Sequence, residues 1–122
     1  MGICGKEQWA GTNNNEMIGE YAWYGSAAGG RTHAVAGKTP NRIGLHDMMG
    51  NVWEWCSDWY DKHYYETSPN KDPHGPFEGS SRVLRGGGWR SKDSGLRTTD
   101  RNRFIPTSKN FSDIGFRLAR DQ

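Results

Sequence analysis

The sequence predicts an α+β domain of few short strands, little helix and long loops. Three observations carry that expectation. Apolar alternation is confined to three brief stretches, 17 of the 122 residues are glycine, and polar tracts punctuated by Asn, Pro and Gly run between the stretches without any internal repeat. The length admits one domain, residues 1–122. Only 16 residues are Leu, Ile, Val or Phe, a proportion that ordinarily signals disorder. Six Trp and five Tyr with a formal net charge of +2 argue the other way, because the apolar area arrives as rings. An aromatic core is the expectation.

Taken in order, residues 1–42 are rich in Gly, Asn and Ala, and only Ile18 to Trp23 reads as one or two helical turns. In NVWEWCSD, the side chains of Val52, Glu54 and Cys56 share one face and those of Trp53 and Trp55 the other. Bulk on both faces predicts a strand inside the molecule. Residues 61–81, with Asn70, Pro73, Gly75, Pro76 and Gly79, read as one long irregular connection. Arg82 to Arg85 forms a short strand, and Gly86, Gly87 and Gly88 after it suit a bulge or a close backbone approach. Ile114 to Arg120 alternates cleanly, with Ile114, Phe116 and Leu118 on one face. Between these strands, Arg90 to Asp113 follows neither period, though Ser91 to Arg101 has room for a short helix.

Several function classes drop out at once. No run of 18 apolar residues exists, so no membrane span is expected, and the opening MGICGKEQWAG has no secretory apolar region. A net charge of +2 is too small to predict nucleic-acid binding. Cys4 and Cys56 admit one bridge, but two ordinary buried thiols are expected, and two cysteines cannot build a four-cysteine zinc site. His33, His46, His63 and His74 share no ligand spacing, and Gly86–Gly88 runs into Trp89 rather than a phosphate-binding signature. The residues offer no catalytic candidate.

Two features point to chemistry. Glu54 sits between two tryptophans on a strand read as buried, and a buried carboxylate must be paired or bind a cation. An ion pair with Arg85 or Arg117 answers that need. So does calcium, with Asp47 seven residues earlier and a turn through Gly50 presenting carbonyls. The second feature is Arg90–Asp113, a polar segment of 24 residues that contains no Glu, Gln, Met or Trp, although the rest of the chain has 18 of them. Loops of this length are usually functional or disordered.

The motifs PNRIGLHDMMGNVWEWCSDWY, RVLRGGGW and IGFRLAR, in that order, resemble the formylglycine-generating-enzyme type of the C-type lectin fold, from about Tyr21 to Arg120. The resemblance implies a small twisted antiparallel sheet with long loops, in a minimal form truncated at the N-terminus relative to a full family domain. It also implies a structural Ca²⁺ held by the side chains of Asp47 and Glu54 and the carbonyls of Gly50 and Val52. The enzymes of this type oxidise a substrate cysteine with copper held by two cysteines after the glycine motif. Here Trp89, Arg90, Ser91 and Lys92 follow, and no cysteine comes after Cys56. Thiolate is the soft ligand that chemistry requires, so neither an enzyme nor a redox or organic cofactor is expected.

A second branch of the same fold is closer. The chain resembles the variable proteins of diversity-generating retroelements, in which adenine mutagenesis of a template rewrites the segment after the glycine motif. Asn codons treated this way cannot yield Glu, Gln, Met, Trp or Lys, and 22 of the 24 residues of Arg90–Asp113 belong to the reachable set, all but Lys92 and Lys109. The resemblance implies a variable region of about 89–113. Its ligand-binding positions would be Arg90, Ser91, Ser94, Gly95, Asp100, Asn102, Arg103, Phe104, Ile105, Thr107, Ser108, Asn110, Phe111, Ser112 and Asp113. Trp89, Arg97, Arg101 and Pro106 resemble constant positions. The expected partner is a protein or surface ligand that changes with each variant, in a prokaryotic or viral setting. A catalytically inactive formylglycine-generating-enzyme-like domain, and a structural domain with an inert loop, are the alternatives.

Overall fold

A computed structural model of the chain describes residues 6–109 and 111–120. Its organising element is β1, Trp53–Trp59, where aromatic residues alternate with polar ones as a pleated, half-buried strand favours. β2, Arg82–Arg85, lies antiparallel to it, with Glu54 opposite Arg85 and Trp55 opposite Leu84, before a register irregularity brings Trp59 opposite Arg82. β3, Asn102–Phe104, is antiparallel to β2, and β4, Ile114–Gly115, pairs parallel to β1 with Trp53 opposite Ile114. The order is β3-β2-β1-β4, so β1 is interior as its two-sided bulk predicts. The sheet is mixed rather than purely antiparallel. Parallel neighbours need a crossover, and the chain supplies one by leaving β3 at one edge and rejoining β1 at the other.

The alternation through Arg120 is not realised as a long strand. The ladder ends at Gly115, and Phe116 and Leu118 stand 74% and 87% exposed. Among the described residues nothing covers their face, so no burial draws the strand further.

Helix is scarce. Asn14 caps a 3-10 turn, Asn15–Met17, its side chain accepting from the Glu16 amide at 3.0 Å. The turn leads into α1, Ile18–Tyr21, within the segment expected to be helical. A second single turn, α2, spans Tyr64–Thr67, and Ser91–Arg101 holds only a 3-10 turn at Asp93–Leu96. None of these helices is long and apolar enough to cross a membrane.

The fully covered core differs from the aromatic one that composition predicts. Trp9, Ile18, Ala22, Met49 and Leu96 form its main cluster, with Ala10, Tyr21 and Tyr24 packed against the margin, and Ala28, Val83 and Leu84 are buried besides, while the tryptophans of β1 are only half-buried. At Trp59 a cation adds to the cover, the Arg82 guanidinium lying 3.6 Å from the ring centre. Gly86–Gly88 does make the close approach expected of it. The Gly50 amide donates to the Gly86 carbonyl at 2.9 Å, the Trp89 amide donates to the Asn51 carbonyl at 2.8 Å, and a Cβ on Gly87 would stand 2.5 Å from a Leu96 methyl. Cys56 is a free, half-buried thiol, and Cys4 lies outside the described residues.

Candidate functional site

The turn into β1 carries the first candidate. Asp47, Gly50 and Asn51 all have positive φ (53°, 75° and 65°), which coils the backbone tightly before the strand begins. Asp47 accepts from the Ala36 amide through Oδ2 at 2.7 Å, whereas its Oδ1 is buried with no partner. Glu54 is held by Arg117, whose Nε donates at 3.1 and 3.2 Å to the two carboxylate oxygens and whose Nη2 donates to Oε1 at 2.9 Å. Arg117 also donates to the Asp47 carbonyl at 2.8 Å. The hydrogen bonds it donates to Glu54 keep this guanidinium more firmly protonated than usual. Of the two arginines considered for Glu54, Arg117 is therefore the partner. Asp47, Gly50, Val52 and Glu54 nevertheless border one cavity of about 260 Å³ together with Arg117. Two carboxylates bordering one cavity, one with an orphaned oxygen, are the donor type that calcium takes, and an ion there would compete with Arg117 for Glu54.

The second candidate is the segment after Trp89, whose backbone is pinned at several points. The Ser91 amide donates to the Gly88 carbonyl at 2.9 Å, and the Ser91 hydroxyl accepts from the Gly88 amide at 2.9 Å. Leu96 enters the core. The Thr98 amide donates to the Gln8 carbonyl at 2.9 Å, and its hydroxyl to the Glu7 carbonyl at 2.7 Å. Arg85 reaches from β2 to the carbonyls of Thr98 at 2.6 Å and Asp100 at 3.1 Å. At the far end the Asp113 carbonyl accepts from the Trp53 amide at 2.7 Å.

Between these anchors side chains project. Arg90, Ser94, Asn102, Arg103, Phe104, Ile105, Thr107 and Ser112 are exposed. Phe104 and Phe111 meet edge to face with ring centres 4.5 Å apart. Arg90 lies 4.4 Å from the Trp89 ring centre and donates to the Ser112 hydroxyl at 3.2 Å. Ser91, Gly95, Asp100, Ser108, Phe111 and Asp113 are half-buried, and Asn110 lies outside the described residues. Sequence reasoning passed over the neighbours of this segment. Tyr60 lies under Arg101 and Arg103, and Tyr65 under Arg101, so the aromatic run from Trp59 to Tyr65 was the available signal.

Comparison with known proteins agrees with this geometry. Residues 4–122 match the Sulfatase-modifying factor enzyme 1-like domain. The formylglycine-generating enzyme of Streptomyces coelicolor is 46% identical over 93 residues, covering 74% of this chain and 29% of that protein. The serine/threonine-protein kinase pkn1 of Chlamydia pneumoniae is 47% identical over 92 residues, covering 74% of this chain and 15% of that protein. The chain thus spans less than a third of either relative's length. Among solved structures, Treponema denticola variable protein 1 superposes with a TM-score of 0.80 at 40% identity, over 91% of this chain and 40% of that one. PvdO from Pseudomonas aeruginosa does so with a TM-score of 0.70 at 29% identity, over 81% of this chain and 38% of that one. With the family motifs, the pinned glycine segment and the shared fold in agreement, the chain belongs to the sulfatase-modifying factor enzyme 1-like domain family.

Proposed function

We propose that the chain is a ligand-binding display module whose segment 89–113 is diversified by a retroelement. One observation carries the reading: a backbone fastened to the framework at Ser91, Leu96, Thr98, Asp100 and Asp113 bears outward side chains at Arg90, Asn102, Arg103, Phe104, Ile105, Thr107 and Ser112. Surface side chains of this kind change stability by about 0.5 kcal/mol or less, so they can be exchanged while the fold persists. Phe104, Ile105 and Phe111 supply apolar anchors, Arg90 and Arg103 charged or stacking contacts, and Asn102 and Ser112 adaptable hydrogen bonds. The likeness to a variable protein supports ligand binding in general. The absence of any cysteine after Cys56 supports binding over cysteine-ligated copper chemistry.

The display reading predicts that a library randomised at Arg90, Asn102–Ile105, Thr107, Phe111 and Ser112 remains folded in most members, measured as protease-resistant surface expression. General loss of folding across the library overturns it. Sequencing the gene's locus tests diversification separately. A near-copy of the 3′ end with adenines at the differing positions, beside a reverse-transcriptase gene, is expected, and the absence of both overturns it.

We also propose that Asp47, Glu54 and the carbonyls of Gly50 and Val52 hold a structural Ca²⁺, supported by the unpartnered, buried Oδ1 of Asp47. When bound, the ion supplies positive charge between two carboxylates. Millimolar calcium is expected to raise the melting temperature and a chelator to lower it, since a ligand of the folded state adds RT ln(1 + [L]/Kd), about 2.7 kcal/mol at a hundredfold excess over Kd. Identical melting in both conditions leaves the Arg117 ion pair as the whole account of Glu54.

A further inference from the structure

Away from the display segment's tip, a cavity of about 350 Å³ opens between β1, α2 and the connection that follows it. Trp59, Tyr65, Pro73 and Val83 give it mostly apolar walls. The walls are braced, because the Gly75 amide donates to the Tyr64 hydroxyl at 3.1 Å and a Cβ on Gly75 would stand 3.0 Å from the Asp58 Cβ. Cys56 also lines the cavity. Burial, helped by the Asp58 carboxylate, pushes its thiol pKa up, so the sulfur stays protonated and acts as apolar wall.

Three charged groups border this space: Asp58, Arg85 and Arg101. Arg85 is engaged by the carbonyls of Thr98 and Asp100. Arg101 is different. Its guanidinium lies 4.1 Å from the Tyr65 ring centre and 5.1 Å from that of Tyr60, and among the described residues it has no hydrogen-bond or carboxylate partner. The ring contacts take up none of its hydrogen-bonding capacity, so its N–H groups have no acceptor among the described residues. A guanidinium is a fork suited to two parallel hydrogen bonds to an oxyanion. Two guanidiniums against one carboxylate leave a single net positive charge, which matches a monoanion. A dianion such as phosphate would face Asp58 with its second charge uncompensated.

We propose that this cavity is a second binding site, which takes a monocarboxylate attached to a flat apolar body, with Arg101 forking the carboxylate and the ring-lined walls covering the body. Arg101 lies within segment 89–113 but at one of its constant positions, and none of the lining residues is among the exchangeable ones, so binding here is tested apart from display. The carboxylate can come from a free acid or from the C-terminus of a peptide ending in an apolar residue.

The test titrates the full chain with 3-phenylpropionate, with its amide, and with short peptides ending in Phe as free acid or amide, following the indole N–H resonance of Trp59, which lines the cavity and is present in every variant. Carboxylates are expected to bind with Kd on the order of millimolar, and the amides about tenfold or more weaker. Arg101→Gln should lose at least that factor, while Arg31→Gln, which removes the same charge from an exposed site, should not. Should Arg101→Gln fail to fold, Arg101→Lys keeps the charge without the fork and should lose affinity likewise. Tighter binding of the peptide acid identifies a chain terminus as the ligand, and preference for the free acid identifies a small molecule. Equal binding of acid and amide, no binding of either acid, or full affinity in both Arg101 variants overturns the proposal.

Discussion

Gly50→Ala is expected to destabilise the domain by about 3–5 kcal/mol, a large part of the stability of a chain this size. A Cβ at this position would lie 2.5 Å from the Trp23 carbonyl oxygen, 3.0 Å from the Trp23 nitrogen and 3.1 Å from the Ala22 Cβ. Nothing there is the free end of a side chain. The Trp23 carbonyl is itself fixed by the Asn51 amide at 2.8 Å, and Gly50 is tied to Gly86 by its own amide at 2.9 Å. Ala22 belongs to the core, so the obstructing backbone cannot retreat without opening it. The φ of 75° adds about 1–2 kcal/mol of left-handed strain for any residue with a Cβ. Gly29→Ala isolates that second contribution, because Gly29 has a φ of 62° and nothing within 4 Å of its added Cβ. Urea unfolding midpoints of the two variants give the comparison. Equal losses at Gly50 and Gly29 would show that the close approach to Trp23 carries no weight.

Asn51→Ala is the next most damaging change, at about 3 kcal/mol. Asn51 is the one buried polar residue among those described, with 7% of its surface exposed. Its Oδ1 accepts from the His33 amide at 2.9 Å, and its Nδ2 donates to the His33 carbonyl at 3.1 Å. Its own backbone joins Trp23 on one side and Trp89 on the other. Alanine strands both His33 groups and also has to adopt a φ of 65°, which asparagine tolerates better. Asn51→Gly loses the same side-chain bonds without the strain and should cost about 2 kcal/mol. The order is the test, since glycine ordinarily destabilises more than alanine. His33 stacks on Trp23 with ring centres 3.7 Å apart, so both variants should also weaken the near-ultraviolet circular dichroism of that indole. Alanine milder than glycine, or unchanged aromatic dichroism, contradicts the role given to Asn51.

What the sequence disclosed about this molecule follows from the range of the forces involved. β1 and β2 were legible because alternation is local, and Gly86–Gly88 because a run of three glycines after a strand has few uses. The ion-pair partner of Glu54 was legible as one of two arginines, since a half-buried carboxylate demands a cation. β3 was hidden. All three of its residues are exposed, so it pairs through backbone alone and leaves no apolar period. The parallel pairing of Trp53 with Ile114 was equally unreadable, because no local pattern records a contact across some sixty positions. Leu96 looked like one more residue of a polar segment and is instead the peg that holds it to the core. The cavity bordered by Arg101 depends on rings and a guanidinium brought together from separate segments, which spacing cannot convey.

The placement of β4 bears on biosynthesis. Trp53 and Glu54 stay without their outer neighbour until Ile114 and Gly115 have been made, after the whole of segment 89–113. A message with a premature stop or a shifted frame inside that segment yields a chain whose central strand is an open edge. Such edges recruit other chains and expose a nascent product to aggregation and degradation. Reading through the segment in frame is thus a condition for closing that edge of the sheet. The short strand that seals the sheet thereby reports that everything before it has been translated in full.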